Sequence, residues 1–180
     1  MRLRTILTEL LETVLSSFII LMVLYYLLAF PEIVSGSSME PNIHNRERIL
    51  VERVSRIFNG FKRGEIVVLH PPEDDNIDYV KRIVGIPGDT VRISECSVYI
   101  SRDGKRFMLE EPYLSEGTCT RGGVAFQEGK AQKIEGGNFF VLGDNREKSA
   151  DSRIFGLVTE DRIIGTAVFR FWPFSQVGFL

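Results

Sequence analysis

Histidine and cysteine are scarce in this chain of 180 residues, which holds only His44, His70, Cys96 and Cys119. Four such residues are too few for a histidine- or thiolate-rich metal cluster, and no metal or cofactor is expected. They also leave little material for a Ser/His/Asp triad. His44 follows Ser38 by six residues, His70 precedes Pro71-Pro72, and neither stands in a triad motif. The two cysteines permit one disulfide without requiring it, and since neither falls in a motif with catalytic character its role would be structural. A net charge of −2 gives no basic excess, so no nucleic-acid partner is expected. There is no internal repeat and no nucleotide-binding glycine fingerprint. Lysine and arginine are absent between Arg4 and Arg46.

Within that gap lies the first positive signal. Val14–Phe30 is 17 residues without a charge, and Leu10 extends the run to 21, interrupted only by Glu12 and Thr13. A helix of that length spans about 30 Å, the thickness of a bilayer's hydrocarbon core. A cleaved secretory signal has a shorter apolar region, and no Ala-x-Ala site follows this one, so a retained transmembrane helix is expected. Arg2 and Arg4 precede it. By the positive-inside rule the N-terminus lies in the cytoplasm and the rest outside, in a single-pass cell-membrane protein. Pro31 is expected to end the helix.

Beyond Pro31 the composition, 44% hydrophobic and 26% charged over the whole chain, is that of one globular domain. The pattern there is short alternating runs between Gly, Pro and Asn/Asp signals, the signature of strands. Strands are expected at 49–54, 65–70, 79–84, 91–94, 97–101, 105–109, 138–142 and 166–172. Asp103-Gly104 marks a hairpin. Residues 116–137, rich in Gly, Lys, Glu and Gln, are expected to hold loops with little core. The fold class is mainly β. Residues 1–31 form a cytoplasmic tip and anchor, and residues 32–180 an extracytoplasmic all-β domain with a small β insertion at about 92–136.

Three clusters carry chemistry. Ser35-Gly36-Ser37-Ser38-Met39-Glu40-Pro41 is built of small residues that permit tight turns and close backbone approach, though such a run also suits a linker. In Asp78–Asp89, a strand would put Tyr79, Lys81 and Ile83 on one face, where apolar neighbours can desolvate the lysine and lower its pKa. Val80, Arg82 and Val84 would occupy the other face, so alternation alone leaves open which basic residue points inward. In Gly143–Arg153, acidic and basic residues interleave after an apolar strand, suiting a loop fixed by ion pairs and Asx turns.

Taken in order behind a transmembrane helix, these clusters resemble the signatures of bacterial type I signal peptidases, Ser/Lys-dyad serine proteases. The resemblance rests on Ser-Met-x-Pro at 38–41, Lys-Arg-x-x-Gly-x-Pro-Gly-Asp at 81–89 and Gly-Asp-Asn-Arg-x-x-Ser-x-Asp-Ser-Arg at 143–153. Gly64–Val68 and Glu111–Leu114 are similar to further family segments. The resemblance implies a membrane-bound endopeptidase that removes signal peptides from secretory preproteins after small residues at −3 and −1. It implies Ser38 as nucleophile, Lys81 as general base and Ser149 as the serine that orients the lysine. Asp144, Arg146, Asp151 and Arg153 would brace the site as ion pairs. Val34, Met39, Ile43, Tyr79 and Val80 would line shallow apolar pockets. Its partners would be preproteins and the lipid bilayer.

Two positions depart from the pattern. Gly36 stands where some members carry a serine that helps stabilise the oxyanion, which leaves the backbone N–H of Ser38 with more of that task. Glu147-Lys148 stands where Asp-Asn is common. Two other readings share some of the features: a self-cleaving Ser/Lys repressor-type peptidase, which is soluble and carries a DNA-binding domain, and a catalytically inactive membrane-tethered β domain that binds a partner.

Overall fold

The computed structural model describes residues 2–54 and 60–180. It begins with α1, Arg2–Leu28, 27 residues long, within which Ile6–Val23 has a mean hydropathy of 2.0 and no buried residue. At 1.5 Å per residue α1 is about 40 Å long. The helix gives way to strand at Ala29, two residues before Pro31. Pro31 therefore does not end the helix from outside; it sits inside the edge strand β1, Ala29–Ile33. An edge position suits proline, because the ladder hydrogen bond it cannot donate is not needed on the open side.

The remaining elements are β2 (Arg48–Glu52), β3 (Ile66–Leu69), β4 (Tyr79–Gly85), β5 (Thr90–Ser94), β6 (Ser97–Arg102), β7 (Lys105–Met108), β8 (Ala131–Lys133), β9 (Asn138–Leu142), α2 (Ser152–Phe155), β10 (Val158–Thr159), β11 (Ile163–Trp172) and β12 (Gly178–Phe179). They form two antiparallel sheets. The larger runs β1-β2-β11-β3-β4-β9-β10 with β12 added to β11, and the smaller runs β7-β6-β5-β8. The domain is thus mainly β, as its alternating pattern implies.

The larger sheet is apolar on both faces. Val34, Met39, Ile43, Ile49, Val51, Val68 and Val80 pack on one side of it, and Phe61, Val67, Leu69, Ile83, Phe139, Val141 and Ile163 on the other. Two-sided burial explains why β3 and β9 read as nearly continuous apolar runs rather than alternating ones. A third cluster, around Val91, Ile93, Val98, Ile100, Phe126, Ile134 and Phe140, lies between the sheets. Phe126 and Ile134 fall in the stretch expected to carry little core. Both are buried, and β8 forms there, because the strand pairs with β5 over Thr90–Arg92. The cysteines do pair: a Cys96–Cys119 disulfide ties the β5–β6 turn to the loop that leads from Glu111.

Candidate active site

Ser38 lies in the turn that connects β1 to β2. The turn is held at several points: Ile43 N–H donates to Met39 O at 2.9 Å, Glu40 N–H to Ser37 O at 3.2 Å, and Gly36 N–H to Asn45 Oδ1 at 3.1 Å. Gly36 has φ +102°, a conformation L side chains rarely adopt, so the glycine is fitted to this bend. Lys81 comes from β4, which pairs with β3 through Val67↔Lys81 and with β9 through Arg82↔Leu142. The two chain segments meet so that Lys81 Nζ is 2.9 Å from Ser38 Oγ, and the same nitrogen donates to Val80 O at 3.0 Å.

Lys81 is only 3% exposed. Burial, opposed by the negative fields of Asp151 and Asp144, brings its pKa down from 10.5 to about 8. Neither carboxylate forms an ion pair with it. Asp151 accepts from Arg153 Nε and Nη2, both at 2.8 Å, and from Gly143 N–H at 3.1 Å. Asp144 accepts from Arg82 Nε at 2.9 Å and Nη2 at 2.7 Å. The anions that could hold Lys81 charged are therefore committed to guanidinium forks, which bind carboxylates in a bidentate way an ammonium cannot match.

Ser149 Oγ is buried beside this pair and has no hydrogen-bond partner among the described residues. It stands close to Gly143, where an added Cβ would lie 2.2 Å from that oxygen and 2.5 Å from Ser38 O. Only glycine at 143 lets the loop and the Ser38 turn approach this closely. The hydrogen bond from Ser149 to the lysine that the family resemblance implies is not formed here.

Of the four bracing residues, only Asp151 and Arg153 pair with each other. Arg146 pairs with Glu111, Nη2 to Oε1 at 2.5 Å and Nη1 to Oε2 at 3.1 Å, donates from Nε to Gly143 O at 3.0 Å, and also bonds Thr120 Oγ1. Asp144 takes Arg82, whose guanidinium stacks 4.1 Å from the centre of the Tyr113 ring. Asn42 joins the two parts by donating to Asp144 Oδ2 at 2.8 Å and to Tyr113 O at 2.7 Å. Arg82, Glu111 and Tyr113 all occur in the segments that carry the family resemblance, yet nothing in the spacing assigned them partners. Asn42 left no signal in the sequence.

A cleft of about 520 Å³ opens in front of Ser38 and Lys81. One wall is Glu32–Ser38 and the other Asn76–Lys81, and Lys148 and Ala150 also line the cleft. Val34, Tyr79 and Val80 line it. Met39 and Ile43 do not: they are buried in the cluster behind Val34 and Val80, so they support the floor rather than form it. β1 is an edge strand, and β9 pairs with β4 only from Arg82 onward, so each wall offers an unpaired strand edge. His44 and His70 stand apart from the pair, beside Glu47 and Asp78 respectively.

This chain is similar to known proteins. The profile of the family described as signal peptidase, peptidase S26, matches residues 7–172. Signal peptidase IB of Staphylococcus aureus is 38% identical over 182 aligned positions, covering 93% of this chain and 92% of that protein. Signal peptidase I of Bacillus licheniformis is 40% identical over 151 positions, covering 82% of this chain and 78% of the relative. The crystal structure of a signal peptidase I from Enterococcus faecalis is 28% identical, with a TM-score of 0.48 over 60% of this chain and 97% of that one. The chain belongs to the S26 signal peptidase family and is a serine endopeptidase. Its exposed apolar α1 fits a membrane anchor.

Proposed function

We propose that this member of the signal peptidase family cleaves secretory preproteins through a Ser38/Lys81 dyad. Signal-peptide removal follows from the family; the dyad rests on one observation above all, the 2.9 Å contact between Lys81 Nζ and Ser38 Oγ at a lysine whose pKa is lowered to about 8. A serine hydroxyl is a weak nucleophile until a base takes its proton, and a lysine can do so only when neutral. Near pH 8 a substantial share of Lys81 is neutral, and its nitrogen, 2.9 Å from Ser38 Oγ, can then accept the hydroxyl proton.

As Ser38 Oγ bonds to the scissile carbonyl carbon, its proton passes to Lys81 Nζ and the carbonyl π electrons move to oxygen. The Ser38 N–H is the donor for that oxyanion. The intermediate collapses by breaking the C–N bond, and the ammonium returns its proton to the departing amine, leaving an acyl-Ser38. Neutral Lys81 then takes a proton from water, whose oxygen bonds to the acyl carbon. Collapse breaks the bond to Ser38 Oγ, which takes the proton held on Lys81, and releases a carboxylic acid that loses its own proton to solvent.

The substrate fits the cleft as an extended segment between β1 and the start of β4, hydrogen-bonding their open edges. Val34, Tyr79 and Val80, backed by Met39 and Ile43, form shallow pockets that reject large side chains at −1 and −3 by steric clash. Asp144, Arg146, Asp151 and Arg153 hold the frame around the dyad, and the unpartnered Ser149 Oγ is the group left to orient Lys81. Residues 1–31 anchor the chain with Arg2 and Arg4 in the cytoplasm, and residues 32–180 lie outside, which raises the effective concentration of a membrane-borne substrate.

Cleavage of a preprotein in detergent tests the dyad. The acidic limb of kcat/KM against pH should centre near 8, one to two units above an ordinary histidine. A limb near 6.5 that vanishes in His44→Ala or His70→Ala, while Lys81→Ala stays active, would overturn it. Protease added to intact protoplasts should digest residues 32–180; protection until the membrane is breached would reverse the orientation.

A further inference from the structure

Because Gly36 has no side chain and its N–H is taken by Asn45 Oδ1 at 3.1 Å, the Ser38 turn offers no second oxyanion donor from that residue. The burden falls on Ser38 N–H, and its aim decides how well it meets a developing charge. That N–H belongs to the same peptide unit as the carbonyl of Ser37. The unit is trans, since the cis bonds among the described residues are at Glu40-Pro41 and Trp172-Pro173. In a planar trans peptide the C=O and N–H point in opposite directions. Whatever holds Ser37 O therefore sets the direction of Ser38 N–H.

Ser37 O is held by two donors: Glu40 N–H at 3.2 Å from within the turn, and Asn145 Nδ2 at 3.1 Å from the Gly143–Arg153 loop. Asn145 N–H also donates to Ser38 O at 2.9 Å, so one residue grips the carbonyls on both sides of the Ser38 Cα. The orientation of the Asn145 amide is fixed by its neighbours. Its Oδ1 accepts from Lys148 N–H at 3.3 Å and its Nδ2 donates to a carbonyl; a flipped amide would face both partners with the wrong group. Among the described residues Ser38 N–H has no acceptor, and Ser38 itself lines the cleft. Donation to Ser37 O also polarises the peptide, which strengthens its N–H as a donor.

The geometry points to Asn145 as a positioning residue that aims Ser38 N–H at the oxyanion and acts on the transition state through the Ser37–Ser38 peptide. This rests on the reading of Ser38 as nucleophile. It separates Asn145 from Lys81: the asparagine serves the oxyanion and the lysine serves the proton.

The test is steady-state kinetics of the full chain in detergent on a preprotein, across pH, for Asn145→Ala and the near-isosteric, uncharged Asn145→Leu, each checked for an unchanged melting transition. Both should lower kcat by about 10- to 100-fold, less than outright loss of an oxyanion donor. KM and the position of the acidic limb should stay within about twofold and about 0.3 unit. A peptide boronate that forms a tetrahedral adduct on Ser38 should lose affinity by the same factor as kcat. Binding of the uncleaved preprotein to a Ser38→Ala chain should not change when Asn145→Ala is added. A folded pair of variants with kcat within twofold of the parent would overturn the inference. So would a loss confined to KM, a loss tracking a shifted acidic limb, or failure of both variants to fold. Ser38→Ala and Lys81→Ala run alongside: activity surviving in those would fail the dyad itself, whereas their inactivity beside a normal Asn145→Ala would fail only the role of Asn145.

Discussion

Lys81 and Arg82 are neighbours on β4, both cationic in water and both buried, yet the two faces of the strand treat them in opposite ways. On one face, Arg82 makes a bidentate pair with Asp144, donates to Gly64 O at 2.8 Å and stacks on Tyr113. On the other, Lys81 meets a serine hydroxyl, its own strand's carbonyl and the Tyr79 ring at 4.8 Å, with no carboxylate among the described residues paired to it. Full pairing keeps a charge in the interior, and withheld pairing drives it off. The Asp144 pairing also commits that anion to Arg82 and not to the amine, so the partners on one face bear on the basicity of the other. The comparison teaches that a buried cation's role is set less by its burial than by which anions are spoken for around it.

The sharpest way to break the comparison is in activity. Ser38→Ala and Lys81→Ala should each remove nearly all cleavage, and the double variant should be little worse than either. Groups that act as one unit behave so, and in a Ser/His/Asp protease losing one costs on the order of 10⁶ in rate. Lys81→Arg should be no better than Lys81→Ala, because a guanidinium cannot give up its proton at working pH. Arg82→Lys, one position away, should keep measurable activity. If the two conservative exchanges had equal effects, the division of labour between the faces would be false. Single-turnover cleavage of a preprotein reads all of these.

Arg82 should dominate stability as Lys81 should dominate rate. Arg82→Ala strands Asp144 in the interior, and Asp144→Ala strands Arg82; breaking a buried pair from one side costs about 3–5 kcal/mol. The double variant should cost less than the sum, and thermal or urea unfolding of the detergent-solubilised chain reads the difference. Additive losses would mean that the pair does not act as one unit.

Much of this arrangement is legible in the sequence, and the parts that are not share a physical cause. Alternation placed Tyr79, Lys81 and Ile83 on one face, and strands such as Asn138–Leu142 announced themselves by apolar runs between turn residues. Alternation could not rank Lys81 against Arg82, because both faces of β4 are buried and period 2 distinguishes faces only when one is wet. The short strands at 131–133 and 158–159 have composition no different from loops; they exist because β5 and β9 offer edges to pair with. Glu111, Tyr113 and Asn42 reach the site across 35 to 102 residues of sequence, contacts for which a single chain carries no local signal. The closeness of Gly143 to Ser149 is legible only once the loop is folded against the Ser38 turn.

The smallest expected effect is also the one that isolates the cause of Lys81's altered basicity. Its folded pKa, about 8, lies below the unfolded value of 10.5. The unfolded chain therefore binds more protons between those two pH values, and stability rises with pH across that window. Below pH 8 both states carry the charge and the full penalty is present; above 10.5 neither does and the penalty is gone. A difference of this size is about 3 kcal/mol at 1.36 kcal/mol per unit. Lys81→Met, of similar length and without a charge, should thus stabilise the fold by up to about 3 kcal/mol at pH 7, less whatever packing the thioether fails to recover. The gain should shrink as pH climbs from 8 towards 10.5. Arg82→Met should show the reverse sign and no such slope, since the guanidinium stays charged throughout. Unfolding free energies of parent and both variants at pH 7, 8, 9 and 10 provide the check. A Lys81→Met difference that is flat with pH would mean that the lysine is not desolvated, and the two faces of β4 would then differ in partners but not in electrostatics.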